Sequence, residues 1–308
     1  MNRVCLVLMA GLSLFAVSPA GAAESPFLGG FLQESRVVYP LRIGDWQAAG
    51  ERRYTEQDEG ASVSYRNPAH PAALLSVYFY PAGQLTKAQL QQSAQQTLEG
   101  IVALAGNPEA GYRTIEAAPL QQVALVDGND GTVAEAWLAT LRIESSRRTF
   151  NSTLGMLVKD LYFIKLRLSA ADTAADPATL RQEMAQLLRE LAQRTVIVST
   201  GECWDPLPLV VRRPLDPAAK GVLLKIEEGG VARAVAFADR VEVLDPEGNE
   251  AVVTQALASF MSGRIPPGCV MPQDINPEVR EGMRELRFEY RLPHTPEVAA
   301  AIGAGGGG

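Results

Sequence analysis

Histidine is nearly absent from this chain. Its 308 residues hold only two, His70 and His294, both in proline-flanked stretches. No His-Glu-x-x-His or Cys-x-x-Cys spacing occurs, so a metal centre of imidazole and thiolate lacks its ligands, and no cofactor is expected. Cysteine is sparse as well, at three: Cys5, Cys203 and Cys269. A thiol nucleophile at Cys203, with His70 or His294 as its base, has no local signature around it, so the catalytic residues are read as none. There is no lysine-rich stretch, and the net charge is −7. Nucleic acid and anionic lipid are therefore poor partners. Beyond the N-terminus no apolar run is long enough to cross a bilayer. The Asp127-Gly128-Asn129-Asp130-Gly131 stretch lacks the alternating acids and closing glutamate of a calcium loop and reads as a turn. Gly303 to Gly308 cradle no phosphate, since no strand precedes them and no helix follows. Arg147-Arg148 and Arg212-Arg213 are too short to form a polyanion site and read as solvated loop charges.

What is present begins with an export signal. Met1, Asn2 and Arg3 form a short positive region, and Val4 to Val17 is an unbroken apolar and small-residue run. Ser18-Pro19 breaks it, and Ala20-Gly21-Ala22 offers the small residues a signal peptidase reads. Residues 1–22 are thus expected to be removed, giving a periplasmic chain from about Ala23, with a retained membrane anchor as the alternative reading. Loss of Arg3 takes the 28 basic side chains to 27 against 35 acidic, a net charge of −8. Cys203 and Cys269 remain, an even count in an oxidising compartment. A disulfide is the favoured reading, with free thiols as the alternative.

Residues 23–35 read as a linker. Strand-like runs follow, at Ala61 to Tyr65 and at Leu75, Val77 and Phe79. Then the period changes. Thr86 and Gln89 make a capping box, and Leu90, Ala94, Leu98 and Ile101 recur at helical spacing. Alternating segments return around Trp137, Leu141 and Ile143. A hairpin turns at Lys159-Asp160, between Leu154, Met156, Val158 and Tyr162, Ile164, Leu166. A second helix starts at Asp176-Pro177 and buries Leu180, Met184, Leu187, Leu188 and Leu191. Consecutive hairpins imply an antiparallel sheet covered by two amphipathic helices. Trp46, the Val77-Tyr78-Phe79-Tyr80-Pro81 strand, the Tyr162-Phe163-Ile164-Lys165-Leu166-Arg167 strand and the helix after it resemble the PsbP-like and DcrB-like α/β/α sandwich over residues 36–198. That resemblance implies an extracytoplasmic binding module with no shared catalytic residues.

The second half is different. Val222, Leu224 and Ile226 alternate up to a Gly229-Gly230 turn, and Val231, Val235 and Phe237 continue beyond it. A helix follows whose expected buried positions are Val253, Ala256, Leu257, Phe260 and Met261, stopped by Pro266-Pro267-Gly268. The final strand alternates throughout: Leu286, Phe288, Tyr290 and Leu292 on one face, Glu285, Arg287, Glu289 and Arg291 on the other. This β-β-α-β order is similar to the C-terminal domain of TonB and TolA proteins over about residues 205–293. The resemblance implies partner binding by strand addition at an exposed edge.

The expectation is an α+β chain of two domains, 36–198 and 199–293, with a flexible tail at 294–308. Its function reads as non-catalytic binding of an envelope protein partner, through the edge marked by Glu285, Arg287, Glu289 and Arg291. The rival classes are a periplasmic hydrolase and a small-ligand-binding protein, each using an interdomain cleft.

Overall fold

The computed structural model describes residues 27–126 and 133–292. The expected signal peptide, the turn at 127–131, His294 and the glycine tail lie outside them. The chain is α+β. Strands β1 (Glu34–Pro40), β2 (Arg42–Ile43), β3 (Trp46–Arg53), β4 (Ala61–Arg66) and β5 (Leu74–Pro81) precede helix α1 (Lys87–Ala103). Then come β6 (Tyr112–Ala117), β7 (Gln121–Val126), β8 (Val133–Ser145), β9 (Thr149–Lys159), β10 (Tyr162–Ala171), helix α2 (Pro177–Arg194) and β11 (Val196–Thr200). The remainder holds β12 (Leu209–Val211), β13 (Leu224–Glu228), β14 (Val231–Ala236), β15 (Val241–Val243), helix α3 (Asn249–Met261) and β16 (Met283–Glu289).

The main sheet runs β2-β3-β4-β5-β10-β9-β8-β6, with β7 also on β8. Its centre is the β9–β10 hairpin. Asp160 and Leu161 both take positive φ, 49° and 72°, as the tight primed turn requires. Positive φ is sterically costly for leucine. Here the Leu161 carbonyl accepts the amides of Ala82 at 2.8 Å and Gly83 at 3.1 Å, and its side chain is buried.

Helix α1 carries the expected capping box: Thr86 Oγ1 accepts from the Gln89 amide, and Gln89 Oε1 accepts from the Thr86 amide at 2.8 Å. Its apolar stripe packs on one face of the sheet. Leu98 and Ile101 meet Leu141, Ile143 and Leu154, and Leu90 and Ala94 meet Met156 and Phe163. Helix α2, capped by Asp176, packs on the other face. It approaches closely because β9 offers Gly155, where an added Cβ would stand 2.7 Å from Met184 Sδ and 2.9 Å from Leu188 Cδ1.

The chain beyond α2 corrects the sequence reading. The last strand was expected to complete the second domain. Instead β16 leaves the β13–β14 neighbourhood and pairs with β1, in a three-stranded sheet ordered β11-β1-β16. The physical reason is surface. The small sheet β12-β15-β14-β13 packs α3 with Ala234, Ala236, Val241 and Val243 and has little apolar area to offer. The main core offers Tyr162, whose ring centre lies 5.9 Å from that of Phe288, and it buries Leu286 completely. Nor does the stretch before β1 behave as a free linker. From residue 27 it lies against the core, with Leu28 and Leu32 buried.

Helix α3 is turned relative to expectation. It buries Ala251, Thr254, Ala258 and Ser259 and exposes Val253, Leu257, Phe260 and Met261, the last at 61%. Small residues allow the close approach of a short sheet. The Ser259 hydroxyl accepts the Leu207 backbone N–H at 2.7 Å and the Gln255 side-chain Nε2 donates to the Leu207 carbonyl at 2.7 Å, which fixes the rotation.

Candidate functional site: the outer edge of the last strand

The four charged residues expected at the binding edge fall on β16 and just beyond it. Along an antiparallel strand, backbone groups point alternately to either neighbour. The Tyr290 amide donates inward to the Gln33 carbonyl at 2.8 Å. The Arg287 carbonyl accepts from the Arg53 guanidinium, and Arg291 bonds to Gln57 through both its backbone groups. Glu285, Arg287, Glu289 and Arg291 therefore present their backbone away from β1, on the outer edge.

That edge is met by side chains from the end of β3 and the turn after it. The Gln57 carboxamide accepts the Arg291 N–H at 2.7 Å and donates to the Arg291 carbonyl at 3.1 Å. One side-chain amide thus reproduces the two-point pairing that a peptide group of an added strand would make. The Arg53 guanidinium caps the Arg287 carbonyl and lies 5.7 Å from the Phe288 ring centre. Between turn and edge is a hollow of about 190 Å³, lined by Arg53, Tyr54, Gln57, Gly60, Phe288 and Tyr290.

The side chains of the edge form a ladder of alternating sign. Arg36 bridges Glu34 at 2.8 Å and Glu285 at 2.6 Å, while Arg287 bridges Glu34 at 3.1 Å and Glu289 at 2.7 Å. Arg284 reaches Glu51 at 3.2 Å, and Glu51 also accepts the Tyr39 hydroxyl. Burial, then the hydrogen bond to Glu51 and its charge, pushes the Tyr39 phenol well above its ordinary range. These pairs fix register and keep the edge solvated; the exposed Arg287–Glu289 pair contributes only about 0.2–1 kcal/mol.

Cys203 and Cys269 form a disulfide with Cα atoms 5.9 Å apart. It ties the segment after α3 to the end of β11, where the Val270 amide donates to the Ser199 carbonyl at 2.9 Å. His70 is exposed and far in function from either cysteine, since both are consumed by the bond. Among the described residues no group of three or more His, Cys, Asp or Glu is placed to hold a metal ion. No helix among them is long and apolar enough to cross a membrane. Arg212, read as a loop charge, pairs with the buried Glu242 at 3.0 Å, and Arg240 joins the same carboxylate at 2.9 Å. Sequence reading missed Arg53 and Gln57 at the edge. They lie 234 residues from their partners, and no local pattern marks them.

No family model matches the chain, and no curated protein matches it. Solved structures do. Cyanobacterial PsbP (CyanoP) from Synechocystis sp. PCC 6803 aligns at 13% identity and TM-score 0.31, covering 56% of this chain and 97% of that one. The Ran-binding protein Mog1p of Saccharomyces cerevisiae aligns at 13% identity and TM-score 0.29, covering 51% and 93%. LpqN of Mycobacterium tuberculosis, described as involved in cell envelope biogenesis, aligns at 14% identity and TM-score 0.30, covering 53% and 83%. The pairing of β16 with β1 removes the closing strand on which the TonB and TolA resemblance rested.

Proposed function

We propose that this is an exported, non-catalytic binding module that takes an extended segment of an envelope protein along the outer edge of β16. One observation carries the reading. The edge is occupied by the Gln57 carboxamide, which pairs with Arg291 as a peptide group would. A side chain is a replaceable cap. An incoming strand exchanges the Gln57 and Arg53 contacts for a continuous row of backbone hydrogen bonds, and its alternate side chains enter the hollow beside Tyr54 and Phe288. In the free protein the same caps, with the charged ladder, protect the edge from indiscriminate pairing. Export is supported by the apolar N-terminal run and by the disulfide.

The test is capture from envelope extract with the mature protein. Proline at Glu289 removes an outward N–H and leaves the β1 ladder intact, because that amide faces away from β1. Capture by the parent, its loss in folded Glu289→Pro, and stronger capture by Gln57→Ala are expected. A partner held equally well by folded Glu289→Pro and Arg287→Pro variants would overturn strand addition here.

A further inference from the structure

The face of the main sheet under α1 is only half covered. The helix packs over β6, β8 and β9. Beyond it the same face continues across β10, β5 and β4, where cross-strand register aligns two rows. Met156, Lys165, Tyr78 and Ser62 form one row, and Leu154, Arg167, Ser76 and Ser64 the next. Arg52 extends the first row on β3. Ser64 is exposed, and Ser76, Tyr78, Lys165 and Arg167 are partly buried.

Two cations thus stand side by side on one central strand, in a chain whose overall charge is −7. The Lys165 ammonium lies 4.5 Å from the Tyr78 ring centre and 5.2 Å from that of Tyr80. Among the described residues it has no oxygen acceptor. Arg167 donates through Nε to Ser152 Oγ at 2.9 Å, and its terminal nitrogens have no acceptor among the described residues. Among the described residues no carboxylate forms an ion pair with either side chain; Glu59 acts on Lys165 only at a distance. Elsewhere the molecule pairs its partly buried charges, as at Glu242 and Arg36. Burial first, and then the Arg167 charge, pushes the Lys165 amine down to about 8, against a weaker pull from Glu59. Adjacent half-buried cations without a counter-ion repel each other and oppose folding. A fold does not need them for packing, since an apolar side chain of the same length fills the space without the charge cost.

We propose that Lys165 and Arg167 form a binding site for an oxyanion, carried on a small organic body that lies against Tyr78 and Tyr80. The ammonium and the free edge of the guanidinium supply charge-assisted donors, and Ser76 and the Tyr78 hydroxyl supply neutral ones. The tyrosine rings give an apolar wall for the rest of the ligand. This site is independent of the β16 edge, on the opposite face of the main sheet from the β11-β1-β16 layer.

The probes are inorganic phosphate and benzoate, titrated separately into isotope-labelled mature protein at constant ionic strength and pH 7, with backbone amide shifts as the readout. Saturable shifts centred on β4, β5 and β10 are expected. Phosphate alone saturating assigns a phosphate-bearing ligand, and benzoate assigns a carboxylate on an aromatic body. Lys165→Met and Arg167→Met should each weaken binding about tenfold or more, the loss of one charge-assisted hydrogen bond. Lys165→Arg should retain it. Each variant's fold is checked by its unperturbed amide spectrum away from the site. No saturable shift with either probe, or equal affinity in the folded methionine variants, overturns the proposal.

Discussion

The phenol hydroxyls of Tyr162 and Tyr290 share a hydrogen bond inside the core, across 128 residues of sequence. Tyr162 is completely buried and Tyr290 nearly so. Next to them the Ser35 and Ser199 hydroxyls are 2.8 Å apart. This polar cluster joins β10 of the main sheet to β1, β11 and the end of the last strand. Burial pushes both phenols well above their ordinary range.

Removing one partner leaves the other buried without it. Tyr290→Phe is expected to destabilise the protein by about 1–3 kcal/mol in urea unfolding. The double variant Tyr162→Phe/Tyr290→Phe should cost less than the sum of the two single changes, because both polar groups are then gone. Strict additivity would show that the two hydroxyls are not coupled.

The disulfide closes a loop of 66 residues. On the chain-entropy model its removal in Cys203→Ala/Cys269→Ala should cost roughly 4 kcal/mol. Thiol labelling of the denatured, unreduced mature protein should find almost no free thiol. Two labelled cysteines per chain would show that the bond does not form.

The exposed face of α3 gives a prediction opposite to the one its sequence invites. Leu257 and Phe260 are 48% and 55% exposed. Leu257→Ser and Phe260→Ser should each change stability by less than about 1 kcal/mol, against the several expected of core positions. Ala258→Leu, on the buried side, should cost about 1–3 kcal/mol by overpacking. Thermal unfolding of the three variants decides which face is inside.

Lys165 has a sign that can be checked. Its folded value of about 8 lies below the ordinary 10.5. Between those values the unfolded chain holds the proton more tightly, so the native state gains stability as pH rises. Below about pH 8 the charge penalty is fully present; above about 10.5 it is gone. The groups facing it are Tyr78, Tyr80 and Arg167, with Glu59 more distant. Lys165→Met should therefore be more stable than the parent at pH 7, and the gap should narrow from pH 8 to 10.5. A gap independent of pH would show that Lys165 pays no such penalty.

Much of the α/β layer was legible in the residues. Thr86-Gln89 and Asp176-Pro177 start the two helices where expected, because capping acts within one turn. Period-two alternation in the sequence placed β5, β9 and β10; burial follows that alternation in β5 and β10, while β9 is buried on both faces from Asn151 to Leu157, between the two helices. The β9–β10 hairpin followed from the same pattern, with its turn at Asp160 and Leu161, one residue later than the Lys159-Asp160 expected. The candidate edge was half visible: Glu285, Arg287, Glu289 and Arg291 were marked by alternation, while Arg53 and Gln57 were not.

Sequence alone, then, determined the elements whose signals are short in range: helix starts, strand alternation and tight turns. Tertiary structure decided the rest. Alternation shows that β16 has an apolar face but not which core will bury it, and the choice went to the larger aromatic surface around Tyr162. Helical periodicity likewise shows that α3 has two unlike faces. Only the short sheet, with room for Ala251 and Ala258 but not for Phe260, decided which one turns inward.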